Sequence, residues 1–133
     1  MSIFKSIINY NTVRGLLDRG FNHQKELSFI IEELLESTGN YTSEAAQDKS
    51  KEMSEDMLKE SNPTPETIVD AWGDIIVYAV GGITKLGYDP EKVLAEINKE
   101  ISSRTGKIID GKFVKDLDAV TYKADFGDCK LDA

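Results

Sequence analysis

Ile68-Val69-Asp70-Ala71-Trp72-Gly73-Asp74-Ile75-Ile76-Val77-Tyr78-Ala79-Val80-Gly81-Gly82-Ile83-Thr84-Lys85-Leu86 is the stretch that decides how this chain folds. Ahead of it, Ser61-Asn62-Pro63-Thr64-Pro65-Glu66 breaks the chain, with Thr64 suited to an N-cap and Pro65 to the first helical position. A helix is predicted from there to Lys85 or Leu86, ended by Gly87. Counted at about 100° per residue, Asp70 and Asp74 share one narrow strip with Gly81 and Lys85, and nearly everything around that strip is apolar. Such a helix is expected to be buried on most sides. Two aspartates at i,i+4 repel each other, so either a cation bridges them or the strip faces water. Gly73, Gly81 and Gly82 cost about 1 kcal/mol each relative to alanine. Close approach of a neighbouring helix, or a kink at Gly81-Gly82, would account for them.

Four more helices flank this one. The apolar spacing of Ile3, Ile7, Ile8, Val13, Leu16 and Leu17 predicts a first helix from Ile3 to Arg19, stopped at Gly20. Asn22 caps a second over His23 to Ser37, with Thr38-Gly39-Asn40 as its exit. A polar third helix spans Thr42 to Glu60, capped by Thr42 or Ser43. Asp89-Pro90 opens a fifth that reaches Ser103. From Gly106 to Val120, Gly, Lys and Asp alternate with the apolar pairs Ile108-Ile109 and Phe113-Val114, which predicts a hairpin or an extended arm. The fold class read from this pattern is all-α: a bundle of four to five helices in one domain spanning 1–133, with 106–133 as an irregular C-terminal arm.

The composition narrows the function. The 133 residues carry 16 basic and 24 acidic side chains, a net charge of −8, which argues against polymeric nucleic acid or an anionic membrane as a partner. Cys129 has no second cysteine to pair with and reads as an incidental tail residue, and His23 reads as a capping or surface residue. The start lacks a signal-peptide pattern, and the apolar run Ile75 to Ile83 is too short to span a bilayer, so a cytoplasmic protein is expected.

A second acidic cluster, Glu32-Glu33-Leu34-Leu35-Glu36, stands on the second helix. There Leu27, Ile30, Ile31, Leu34 and Leu35 fall in one apolar arc, with Glu32, Glu33 and Glu36 together on the other side beside Phe29. The spacing lets all three acids reach one ligand, although taken alone it describes an ordinary solvated face. Five carboxylates from two packed helices would suit a hard divalent cation such as Mg²⁺ or Mn²⁺. That cage would point to phosphate chemistry.

Glu32-Glu33-x-x-Glu36 followed by a later acidic helix resembles the all-α nucleoside triphosphate pyrophosphohydrolases, the MazG-like enzymes with their phosphoribosyl-ATP pyrophosphohydrolase and dimeric dUTPase relatives. The family pattern is E-E-x-x-E on one helix and E-x-x-D on another. Asp74 matches the closing aspartate, and Ile75-Ile76-Val77-Tyr78 the apolar run that follows it. The likeness covers roughly Asn22 to Lys115, including Glu96-Ile97-Asn98-Lys99 and the Gly-Lys-rich arm, which is most like that of small phage and bacterial members. One position departs: Ala71 stands where the pattern has glutamate, with Asp70 one residue earlier.

The resemblance implies Mg²⁺- or Mn²⁺-dependent hydrolysis of a nucleoside triphosphate between the α- and β-phosphates. Glu33, Glu36, Asp70 and Asp74 are then the metal candidates, and Glu32 or Glu33 the general base. Asn98, Lys99, Lys107 and Lys112 are candidates to touch the nucleotide, and a homodimer or homotetramer is expected. The alternative is a helical protein that binds metal and nucleotide with weak or no catalysis.

Overall fold

Five helices make up most of the chain: α1 (Ile3–Val13), α2 (His23–Glu36), α3 (Ser43–Met57), α4 (Pro65–Lys85) and α5 (Pro90–Ser103). They are followed by a hairpin of β1 (Gly106–Ile109) and β2 (Lys112–Lys115), and by a short 3₁₀ turn at Gly127–Cys129. The structure is a computed structural model that describes residues 2–18, 20–104, 106–110, 112–115 and 122–131; at 112, 113 and 115 the description stops at the backbone. Two compact units are distinguished, one of Gly20–Ile68 and one of Met1–Arg19 with Val69–Ala133.

Each helix begins where a short polar side chain can take an orphan backbone N–H. Asn22 Oδ1 accepts from Lys25, Thr42 Oγ1 from Ala45, Thr64 Oγ1 from Thr67, and Asp89 Oδ1 from Glu91 and Lys92. The ends are equally specific. α1 stops six residues short of the predicted Arg19, because Gly15 takes φ +71° and closes the helix early. There Gly15 N–H donates to Thr12 and Leu16 N–H to Asn11, a paired C-terminal closure. Gly87, at φ +91°, ends α4 in the same way: its N–H donates to Thr84, and that of Tyr88 to Ile83. α3 ends at Met57, three residues before the predicted Glu60, and Glu60 itself has a positive φ of 60°.

In the unit Gly20–Ile68, α2 packs on α3. The buried positions of α3 are Ala46, Ser50 and Ser54, a stripe of small residues at i,i+4,i+8 that lets α2 come close. α2 presents Ser28, Ile31 and Glu32 as its buried residues, and Gln24 Nε2 donates to Ser54 Oγ at 2.8 Å. The buried positions of this interface are therefore mostly polar, with Ile31 as the one large apolar side chain among them.

In the other unit α1 packs on α5. Arg14 donates from Nη2 to the carbonyl of Ser102 at 3.0 Å and to that of Arg104, placing a cation at the α5 C-terminus, where the helix dipole favours one. The hairpin pairs antiparallel from Gly106 opposite Lys115 to Ile109 opposite Lys112, in keeping with the hairpin-or-arm reading of this region. The segment 122–131 returns to the α4–α5 turn: Asp89 N–H donates to Cys129 O at 2.7 Å and Leu131 N–H to Gly87 O at 2.9 Å.

α4 is where expectation and structure differ most. It is one continuous helix through Gly81-Gly82, so no kink is present, and none of its residues is buried. Val69, Ile75, Ile76, Val77 and Tyr78 are exposed, Tyr78 by 80%. Within its unit α4 packs on neither α1 nor α5. A Cβ at Gly73, Gly81 or Gly82 would meet nothing within 4 Å among the described residues, so the close approach expected to offset these glycines is not seen there. By length and composition alone α4 could cross a membrane, with a mean hydropathy of 1.2. Asp74 stands at its middle, however, where a carboxylate in hydrocarbon costs about 3 kcal/mol.

Candidate functional site

The acidic residues singled out by the sequence divide between the two units. Glu32, Glu33 and Glu36 lie on α2, and Asp70 and Asp74 on α4. On α2 the sequence-based faces need correction. Glu32 is only 9% exposed and shares the buried side with Ser28 and Ile31, whereas Leu34, assigned to the apolar arc, is 64% exposed. The small residues of α3 set this rotation, because the helix turns the side that fits the Ala46-Ser50-Ser54 stripe toward it rather than its most apolar side. Glu33 is exposed and Glu36 half-buried.

Asp70 and Asp74 are both exposed. Glu36, Asp70 and Asp74 have no ion-pair or hydrogen-bond partner among the described residues. Among those residues, no three His, Cys, Asp or Glu side chains come together as a group able to hold a metal ion. The chemistry of the donors nevertheless fits Mg²⁺ or Mn²⁺. Each helix offers an all-oxygen pair one turn apart, and Mg²⁺ is commonly held by one or two carboxylates together with waters and substrate phosphates.

The other candidates belong to the unit that contains α5. Asn98 is half-buried, and its Oδ1 lies out of solvent with no hydrogen-bond partner among the described residues. Lys99 is exposed, with Nζ 4.3 Å from the centre of the Tyr122 ring. Lys107 is exposed on β1 opposite Val114. Lys112 lies opposite Ile109 in β2, and its side chain is outside the described residues. Trp72 and Phe29 are both half-buried.

Tyr122 and Glu96 are the functional candidates that sequence reasoning missed. The Tyr122 hydroxyl donates to Glu96 Oε2, and this bond, reinforced by burial and by the negative charges of Glu96 and Asp125, pushes the phenol up to about 12. Cys129 is buried beside the same acids, and burial, more than their charge, raises its thiol. No spacing rule links residues 26 apart in sequence. The available hint was the opposite charge of Glu96 and Lys99 at i,i+3.

A pH dependence follows from Tyr122. Its folded-state value lies above the ordinary 10.0, so the bond to Glu96 contributes stability that is intact below pH 10 and lost as pH rises toward 12. In an ultraviolet titration of the folded protein, a tyrosine step near pH 12 is expected, and it should vanish in Tyr122→Phe. A Tyr122→Phe profile identical to that of the unaltered protein would contradict the assignment.

No protein-family model, no characterised protein and no solved structure matches this chain.

Proposed function

We propose that the protein is a nucleotide pyrophosphohydrolase, using Mg²⁺ or Mn²⁺ to split a nucleoside or deoxynucleoside triphosphate into a monophosphate and pyrophosphate. The observation that carries the reading is the exposed Asp70/Asp74 pair, without a partner among the described residues, on a largely apolar helix, together with the E-E-x-x-E cluster of α2. A bound divalent ion supplies charge neutralisation at the phosphates and an acidified water. In this reading Glu33, Glu36, Asp70 and Asp74 are the candidates to hold such an ion. Glu32 or Glu33 accepts the proton as the water oxygen bonds to the α-phosphorus, and pyrophosphate departs with the electron pair of the broken P–O bond. Lys99 and Lys107 bring positive charge to the triphosphate, Lys112 adds to it from the arm, and Asn98 offers its side-chain amide to the base or sugar.

The bare α4 supports a working form of two or four copies. An exposed apolar surface of this length marks an interaction site, and a second copy of the chain is the proposed cover. The reading places the protein in the cytoplasm, where nucleoside triphosphates and Mg²⁺ are available.

The test is incubation with a panel of nucleoside and deoxynucleoside triphosphates and Mg²⁺ or Mn²⁺. Release of pyrophosphate is expected, and release of orthophosphate alone would contradict the reading. The second reading, metal and nucleotide binding without turnover, is favoured by Ala71 in place of glutamate and by the lack of a three-acid group among the described residues. Calorimetric binding of both ligands with no product formed would select it.

A further inference from the structure

Glu96 and Lys99 stand one turn apart on α5, at the spacing where opposite charges on a helix ordinarily pair. No ion pair forms between them. Tyr122 instead engages both: its hydroxyl donates to Glu96, and its ring face lies beneath the Lys99 ammonium at 4.3 Å. The backbone that carries Tyr122 continues into a segment tied to the α4–α5 turn through Cys129 and Leu131. The Tyr122 ring attracts the ammonium from one side but accepts no conventional hydrogen bond through its face. Lys99 is exposed, so its N–H donors remain open to an anion.

We propose that Tyr122 is a positioning residue that keeps Lys99 out of an ion pair with Glu96, so that the ammonium is available to a polyphosphate group. The identity of that anion as a nucleotide rests on the function proposed above; the separation of the two charges does not. Removing the hydroxyl frees the Glu96 carboxylate, which then captures Lys99. Neutralising Glu96 in the same molecule removes the captor and releases the lysine again.

The experiment compares the full chain with Tyr122→Phe, Tyr122→Phe/Glu96→Gln and Lys99→Met. The first readout is the NMR shift of the Lys99 ε-methylene protons, which the ring shields. The second is the affinity for inorganic tripolyphosphate in metal-free buffer. In Tyr122→Phe the shielding should fall and tripolyphosphate should bind about threefold to fivefold more weakly, the scale of an exposed ion pair. The double variant should restore both, and Lys99→Met should match Tyr122→Phe in affinity. Unchanged shifts in Tyr122→Phe, a loss that Glu96→Gln does not reverse, or no tripolyphosphate binding by the unaltered protein would each overturn the proposal. If shifts and affinity behave as expected while no triphosphate is hydrolysed, the positioning role stands and the hydrolase reading fails.

Discussion

Glu36→Gln is expected to lower metal-dependent pyrophosphate release by about 10²- to 10³-fold, equivalent to several kcal/mol of lost charge stabilisation in the transition state. The substitution keeps the size of the side chain and removes its charge. Glu36 has no partner among the described residues, so folding stability should change by no more than about 0.5 kcal/mol. Asp74→Asn should behave alike. Steady-state assays of pyrophosphate release beside thermal melts of the same samples make the comparison. Full activity in Glu36→Gln would remove α2 from the chemistry.

The second large effect concerns packing. Ile31→Ala is expected to destabilise the protein by about 2–5 kcal/mol, since Ile31 is 5% exposed and is the one large apolar side chain buried between α2 and α3. Leu34→Ala, three residues later and 64% exposed, should stay within about 0.5 kcal/mol for the single chain. Urea titrations of both variants measure the contrast. A larger Leu34 effect that grows with protein concentration would mean that a second copy covers that face. Equal effects at high dilution would contradict the observed rotation of α2.

This pair of leucine and isoleucine positions shows where reading the sequence succeeded and where it did not. Caps are local chemistry: Asn22, Thr42, Thr64-Pro65 and Asp89-Pro90 announce helix starts within a few residues, and the structure uses each of them. Helix rotation is not local. Hydropathy put Leu34 inside and Glu32 outside, but the partner helix offers Ala46, Ser50 and Ser54, and that small polar stripe selects the complementary side of α2. Gly15 rather than Gly20 closes α1, because the left-handed turn occurs at the first glycine that completes a capping pair. The all-round apolarity of α4 was legible, and with it the expectation of burial. None of its residues is buried among the described residues, and within its unit it packs on neither α1 nor α5. For the candidate site, residue types and spacing on each helix were readable, whereas the Tyr122 link to Glu96 and Lys99 depends on a return of the chain that no periodicity records.

The most direct measurement is hydrolysis in heavy-oxygen water with Mg²⁺, followed by mass analysis of the products. Attack by a carboxylate-steered water on the α-phosphorus predicts one heavy oxygen in the monophosphate and none in the pyrophosphate. Label in pyrophosphate or in orthophosphate would contradict the account, as would the absence of any product across the substrate panel.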